Sequence, residues 1–377
     1  MNERYLLTDL GIVSALGAGI ETTARRMFVG DTSGMKPLRG VLSGGDETVF
    51  GFADLPDVAF AAAPTRVGAL IDAALAQLAP ALEHLRREVP SERIGAVIGT
   101  SNSTMEEFTS NPDRIDMAYP SERLRTKWGV GGPAWVVSPA CSSSAKVFAS
   151  ARRLIAEGLC EAVLVGGADA FTRIVVNGFH SLEAISPRLT CPLAADRDGI
   201  NLGEGAAIFI LRRAKAGEEG VALLGVGESS DAYHLTAPDP EGRGAEAAMR
   251  AALADAALAP NEVDYINLHG TGTVYNDSME CTAVRRVFGD VVACSSTKPL
   301  IGHTLGAAGA LETALCWIAL REGRGLPPHV VPSVDTDLAP FPIPSVGNEM
   351  QARIALSNSF AFGGSNASVI IGRNPAA

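Results

Sequence analysis

Aromatic residues supply only 6% of this 377-residue chain and charged residues only 19%. Several things are scarcer still, and each scarcity excludes a class of protein. The six cysteines (Cys141, Cys160, Cys191, Cys281, Cys294 and Cys316) are few for the length, and none forms a C-x-x-C pair. That argues against a zinc ribbon, a redox dithiol or a disulfide framework, and no metal site is expected. No run approaches the ~20 apolar residues that a membrane-spanning helix needs. The opening MNERYLLTDL is charged and lacks the apolar core of a secretory signal. Basic residues are in deficit, 31 against 42 acidic, for a net charge of −11, so nucleic acid is not a natural partner. An acidic partner would need a local basic patch, for which Arg123, Arg125 and Lys127 are one candidate. The expectation is a soluble, cytoplasmic chain whose thiols stay reduced.

What is present is apolar and small. Hydrophobic residues make up 47%, and there are 40 glycines. Such a chain is long enough for one large or two fused core-bearing units whose elements pack backbone against backbone. Short apolar, β-branched runs alternate with Ala-rich helical stretches. Strands are expected at 94–99, 134–137, 162–166, 207–211, 221–226, 265–268, 291–294, 354–356 and 368–371. Helices are expected at 66–78, 142–156, 245–257, 278–287 and 307–321. The alternation predicts an α/β fold with buried strands. The 307–321 helix is apolar nearly all round, so it should lie between layers. An internal echo links SSAKVFASARRLIAEG with GAAGALETALCWIALREG: each is a small-residue helix ending in Glu-Gly. It suggests two related halves meeting near residue 225, an N-terminal half (1–225) and a C-terminal half (226–377). The Pro-rich 325–346 segment reads as an ordered surface connection.

Three segments carry chemistry. In WVVSPACSSSAKVFASARRLI a strand turns into a small-residue helix at Cys141. A helix N-terminus favours the thiolate, and its unpaired N–H groups can hold an oxyanion. YINLHGTGTVYNDSMECTAV places His269 just after a strand, ahead of a Gly/Thr turn and a helix starting near Ser278. SSTKPLIGHTLGAAGALETAL places Lys298 and His303 before the apolar helix. A buried structural cysteine and structural histidines are the bland alternative for each segment alone. Two imidazoles and a lysine, each in a Gly-rich loop at a strand end, together with a thiol at a strand-to-helix turn, suit nucleophilic catalysis better.

PACSSSA, LHGTGTVYND, KPLIGHTLGAAG and NSFAFGGSNAS occur in this order and spacing, with RDGINLGEGAAIFIL and SDAYHLTAPDPEG between them. Together they closely resemble the β-ketoacyl–acyl-carrier-protein synthases, condensing enzymes of the thiolase-fold superfamily. The resemblance spans nearly the whole chain. It implies a thiolase-like five-layer αβαβα sandwich of two related halves. It also implies a decarboxylative Claisen condensation of a Cys-bound acyl chain with malonyl-acyl carrier protein. Position by position, Cys141 matches the acylated nucleophile, and His269 and His303 match the pair that supports decarboxylation. Lys298 matches the lysine that orders the site, and Glu280 a structural network glutamate. Phe362 matches the gate phenylalanine, whose N–H with that of Cys141 forms the oxyanion hole. Thr271 and Thr273 match threonines that hold the pantetheine arm. The family needs no cofactor beyond the 4′-phosphopantetheine of the carrier protein. It forms homodimers, or heterodimers with a chain-length-factor-like subunit.

The chain departs from the family pattern at several points. Pro139 stands where Thr is common, and Cys191 where relatives can carry arginine. The stretch between Thr100 and Gly132 looks trimmed. SNST (Ser101–Thr104) replaces a Gly-Ile-Gly-Gly run at the acyl pocket, which predicts a pocket that is more polar or differently shaped, and a specialised synthase for a polyene or polyketide, paired or not with a non-identical partner. Only Arg66 is available in PTRVGALIDAAL for carrier docking. A non-elongating chain-length-factor-like subunit is the main alternative, although such subunits commonly lose the cysteine. A thiolase would need a second cysteine in FAFGGSNAS, and a malonyl decarboxylase would be told apart by its product.

Overall fold

The apolar runs form an 11-stranded sheet whose two sides enclose one helical layer and carry helices on their outer faces, and a separate two-stranded sheet stands beside it. The computed structural model describes residues 3–56, 59–60, 63–106 and 115–374; part of the 100–132 segment, residues 107–114, therefore lies outside the described residues. In chain order the strands are β1 (Tyr5–Ser14), β2 (Gly17–Ala18), β3 (Met35–Leu38), β4 (Thr48–Gly51), β5 (Ile94–Gly99), β6 (Ala134–Val137) and β7 (Ala162–Asp169). They continue with β8 (Gly205–Arg213), β9 (Gly220–Ser230), β10 (Tyr265–Asn267), β11 (Ala293–Ser295), β12 (Ile354–Ala361) and β13 (Ser365–Asn374). The helices that matter for the site are α1 (Arg66–Gln77), α2 (Ser143–Ala156), α3 (Arg173–Ser181), α4 (Arg243–Ala256), α5 (Val274–Phe288) and α6 (Ala308–Glu322).

The sheet order is β11-β10-β12-β13-β9-β1-β8-β7-β5-β6. Its two sides repeat one another. β6-β5-β7-β8-β1 has the same succession of parallel and antiparallel pairings as β11-β10-β12-β13-β9. The sides join where Tyr5 pairs Leu223 and Leu6 pairs Ala222. Residue 225 lies inside β9, so the seam of the topology falls ahead of Gly220.

β1 is absent from the sequence-based expectation because Thr8 and Asp9 interrupt its apolar run. The structure accommodates them with a register shift between Leu7 and Asp9, a bulge that re-aims the side chains. α5 begins at Val274, four residues earlier than expected, because the Thr273 hydroxyl caps it by accepting the Asn276 N–H.

Three apolar clusters separate the layers. One joins α1 to β5, β7 and β8, and another joins α4 and α5 to β10, β12 and β13. The largest lies between them and is built on α2 and α6, the two helices of the sequence echo. These cross at small residues, where a Cβ on Gly309 would sit 2.6 Å from the Ala145 nitrogen. The all-round burial of α6 from Ala308 to Leu320 follows from this middle position. Among the described residues no helix is long and apolar enough to cross a membrane.

Candidate active site

Cys141 lies in a 3₁₀ turn, Ala140–Ser142, between β6 and α2. Ala140 takes a left-handed conformation (φ 49°), a strained elbow that costs an L-residue ~1–2 kcal/mol and suits a small side chain. The elbow aims Sγ at His303, whose Nε2 is 3.1 Å away. The Phe362 N–H donates to the same sulfur. Sequence reasoning expected a thiolate held by the helix N-terminus, and the structure reverses that for the resting state. Burial pushes the thiol up to about 12, and the Lys298 charge and the Phe362 N–H only partly oppose it. Cys141 also precedes α2 rather than lying in its first turn.

His269 follows β10, and its ring centroid is 5.1 Å from that of His303 in an edge-to-face arrangement. Burial, and then the nearby Lys298 charge, hold both imidazoles well below the usual histidine range, so both are neutral. The His269 turn is fixed from behind by Glu280 on α5. Its carboxylate accepts the N–H groups of His269 (2.8 Å) and Gly270 (2.7 Å) and the Asn358 amide (3.1 Å). Burial nonetheless raises the Glu280 carboxyl to about 7. Gly270 is required because it turns at φ +36°, where a Cβ would meet the Ser296 side chain at 2.6 Å.

Lys298 is fully buried, and its Nζ lies 2.5 Å from Glu312 Oε1 on α6. Sequence reasoning missed Glu312. The signal was a single carboxylate in the apolar stretch GALETALCWIAL. Burial raises this carboxyl to about 7, against the pull of the Lys298 charge. Asp169, also missed, ends the apolar strand β7. It accepts the Ser101 hydroxyl (2.7 Å), the Asn102 N–H (3.1 Å) and the Gly306 N–H (2.7 Å), together with the Thr100 hydroxyl. It thereby ties the loop after β5 to the loop after His303.

Of the two expectations for the pocket, this network corrects the more polar one. Ser101 is held by Asp169, Asn102 Nδ2 donates to the Ala170 carbonyl, and the Ser103 hydroxyl donates to the Asp116 carbonyl. Thr104 Oγ1 accepts the Asp116 N–H. Apart from Asn102 Oδ1, which is buried without a partner, the protein satisfies these side chains itself, and among the described residues none of the four lines the cavity over Cys141. That cavity measures about 360 Å³ and is bordered by Cys141, His269, His303, Thr271, Phe360 and Phe362. The Thr271 and Thr273 hydroxyls are 2.9 Å apart at its edge. Phe362 stacks on Phe179 with centroids 5.5 Å apart, and the positive φ of Gly363 and Gly364 lets the chain turn behind it.

The basic residues proposed for an acidic partner are engaged internally. Arg66 Nε donates to Glu204 at 2.6 Å, Arg123 and Lys127 both pair with Asp72, and Arg125 donates to the Gly132 carbonyl. Cys191 is buried, its thiol directed at the Leu189 carbonyl.

Comparison with known proteins agrees with this architecture. Residues 45–216 match the model of the beta-ketoacyl synthase N-terminal domain, and residues 221–331 that of the C-terminal domain. Nodulation protein E of Rhizobium meliloti is 43% identical over 248 residues, which cover 63% of this chain and 61% of that protein. The chain thus spans less than two thirds of that relative. 3-Oxoacyl-[acyl-carrier-protein] synthase 2 of Coxiella burnetii is 31% identical over 409 residues, 98% of each chain. Among solved structures, a chain of the ketosynthase in complex with its chain length factor from Xenorhabdus doucetiae superimposes with a TM-score of 0.89. It shares 39% identity over 99% of this chain and 98% of that one. With both domain models matched in order and a relative aligned end to end, the chain belongs to the beta-ketoacyl synthase family.

Proposed function

We propose that the chain condenses a Cys141-bound acyl group with a malonyl-acyl carrier protein, releasing CO₂ and a 3-oxoacyl-acyl carrier protein. The observation that carries this reading is the 3.1 Å contact between Cys141 Sγ and His303 Nε2, with His269 beside it in a buried cavity. In the first half-reaction Sγ attacks the thioester carbonyl of the incoming acyl chain. Its proton passes to His303 Nε2 and then to the departing pantetheine sulfur. The tetrahedral oxyanion accepts the N–H groups of Cys141 and Phe362. Once acylated, Sγ no longer donates to Nε2, and the Nε2–H tautomer is available to the next substrate. Malonyl thioester then enters, its carboxylate leaves as CO₂, and the electron pair moves onto the thioester oxygen as an enolate. Neutral His269 and His303 donate to that oxygen without adding a competing charge. The enolate carbon attacks the acyl carbonyl, a C–C bond forms, and the Cys141 C–S bond breaks. The sulfur leaves as thiolate and takes up one proton from solvent, which restores the thiol for the next cycle.

In this reading Lys298 and Glu312 fix the electrostatics behind the histidines, Glu280 holds the His269 turn, and Phe362 gates the cavity. Thr271 and Thr273 hold the pantetheine arm, and the carrier's 4′-phosphopantetheine is the only prosthetic group in the reaction. Fatty acid, polyene and polyketide chains all suit this chemistry. The partners are a carrier protein and a second subunit, either another copy or a chain-length-factor-like chain. β6 ends the sheet with half-buried residues, which supports a subunit contact along that edge. A cytoplasmic setting fits the six free, buried cysteines. A non-elongating role is disfavoured by the intact Cys141–His303 contact. The test is to supply acyl- and malonyl-carrier proteins and follow intact mass. An acyl adduct on Cys141 and a 3-oxoacyl-carrier product are expected. Loss of CO₂ without chain extension, or an unmodified Cys141, would overturn the reading.

A further inference from the structure

Two residues other than glycine turn through the left-handed region in the loops that meet at Asp169. Ser103 (φ 41°) lies in the loop after β5, and Leu305 (φ 51°) lies two residues after His303. That conformation is an outlier for a bulky side chain such as leucine, and such strain persists only where the surrounding structure over-determines it. Both turns share one holder, the fully buried carboxylate of Asp169.

Three backbone N–H groups point at this carboxylate. Oδ2 accepts those of Ser101 (2.9 Å) and Gly306 (2.7 Å), and Oδ1 accepts that of Asn102 (3.1 Å). The Ser101 and Thr100 hydroxyls complete its shell, and Thr100 Oγ1 in turn accepts the Ser103 N–H at 2.9 Å. Burial raises the Asp169 carboxyl, and these donors oppose the rise. Backbone N–H groups can only donate, so both carboxylate oxygens are needed as acceptors.

Gly306 is where the carboxylate reaches the catalytic loop. Upstream, the His303 N–H donates to the Asn201 carbonyl (2.7 Å), and the His303 carbonyl accepts the Gly203 N–H (3.0 Å). Downstream, the chain is fixed at Gly306, where a Cβ would collide with the Ser101 nitrogen. The span from His303 to Gly306 is thus anchored at both ends. The strained Leu305 lies between the anchors, packed in the apolar cluster that includes Cys141.

We propose that Asp169 is a positioning residue of the condensation: its hold on the Gly306 N–H keeps the turn wound through Leu305 and thereby seats His303 Nε2 against the Cys141 sulfur. The proposal rests on the condensing function proposed above. Asp169 does not border the cavity over Cys141, so it acts through His303. Asparagine at this position has one acceptor oxygen. Either orientation of its amide turns an NH₂ group toward a backbone N–H, that of Gly306 or that of Asn102. The misfit relaxes by unwinding the Leu305 turn, and His303 moves with it.

The experiment compares wild type with Asp169→Asn and with Ser101→Ala, which removes the hydroxyl that Asp169 and the Gly306 N–H share. Circular dichroism melts give the folded fraction of each. Condensation is followed with acyl and malonyl thioesters of a bacterial type II acyl carrier protein. Iodoacetamide labelling of Cys141 reads its contact with His303 without any turnover. In Asp169→Asn, kcat per folded molecule should fall about 10²-fold, the cost of misplacing a reacting group by about 1 Å. KM should change by less than about twofold, as for an interaction felt only in the transition state. Labelling should slow in parallel, and Ser101→Ala should show the same pattern more weakly. Burial holds the Cys141 thiol up, and the Asp169 charge adds to it. Labelling that quickens in Asp169→Asn would therefore mean that the carboxylate acts on the sulfur through its field, and would overturn the positioning role. Wild-type kcat per folded molecule at a lowered melting temperature would reduce Asp169 to a structural part and overturn it too. Should Asp169→Asn fail to fold, Ser101→Ala decides: slowed labelling supports the role, and wild-type labelling overturns it. Labelling slowed in the variants of a protein that releases no 3-oxoacyl product would instead overturn the proposed function and leave the positioning role standing.

Discussion

Cys141 is poised rather than pre-ionised. Burial holds its thiol up to about 12 while His303 Nε2 waits 3.1 Å away. Reactivity then depends on the imidazole and on access from the cavity, which the other five cysteines lack. Iodoacetamide followed by peptide mapping should label Cys141 first, at a rate that climbs with pH throughout the neutral range without levelling off. His303→Ala should slow that labelling by about 10² or more, the usual worth of a positioned base. Glu280 gives a second test at this scale. Its folded-state carboxyl titrates at about 7, above the ordinary 4.5. The fold therefore gains stability from the protonated form below pH 4.5, and that gain is lost as pH rises through 7. Glu280→Gln removes this titration, so the melting temperature of wild type relative to the variant should fall between those limits.

Elements position the site through close approaches and buried polar ties. α2 and α6 cross at Gly309, where any side chain meets Ala145 backbone. Gly309→Ala should destabilise the protein by about 1–3 kcal/mol, the usual cost of overpacking, and should do so although alanine favours helix. A denaturant melt checks this. His329 ties the Pro-rich connection to the site: its Nδ1 accepts the Ser296 N–H at 3.1 Å, and Nε2 donates to the Pro192 carbonyl at 3.0 Å. Ser296 in turn donates to the Gly270 carbonyl at 2.7 Å. His329→Ala should leave that N–H without an acceptor, costing about 1–3 kcal/mol, and should lower kcat more than it raises KM. His329→Asn should recover part of both losses.

At the scale of the molecule, the two halves repeat a topology but share a core. The cluster between the two sides of the sheet takes Phe148 and Phe209 from one half and Leu311 and Trp317 from the other, and Trp317 Nε1 donates to the Leu7 carbonyl at 2.9 Å. Neither half can bury its inner face alone. Fragments 1–216 and 217–377, divided in the turn before β9, should each lack cooperative unfolding when expressed singly. Expressed together they should co-purify and regain a single transition by circular dichroism.

Much was settled by local sequence. A buried strand needs a continuous apolar run and a middle-layer helix needs apolar residues on every face, so β5, β6 and α6 were legible within a residue, and β7 but for its last three. The elbow at Cys141 was legible because a thiol stood where a strand turns into a small-residue helix, and the loops of His269, Lys298 and His303 because reactive side chains stood in Gly-rich turns at strand ends. β1 was not legible, because a bulge absorbs Thr8 and Asp9 only where β8 and β9 pair with the strand on either side. Glu312 and Asp169 escaped notice because each gains its meaning from partners far along the chain, Lys298 for one and the 100–102 and 306 backbone for the other. The polarity of SNST was visible, but its direction was not: only the fold turns those side chains toward Asp169 and Asp116 and away from the cavity. The protonation of Cys141 likewise could not be read from its place before a helix, because the burial that keeps the proton on sulfur is assembled from both halves of the molecule.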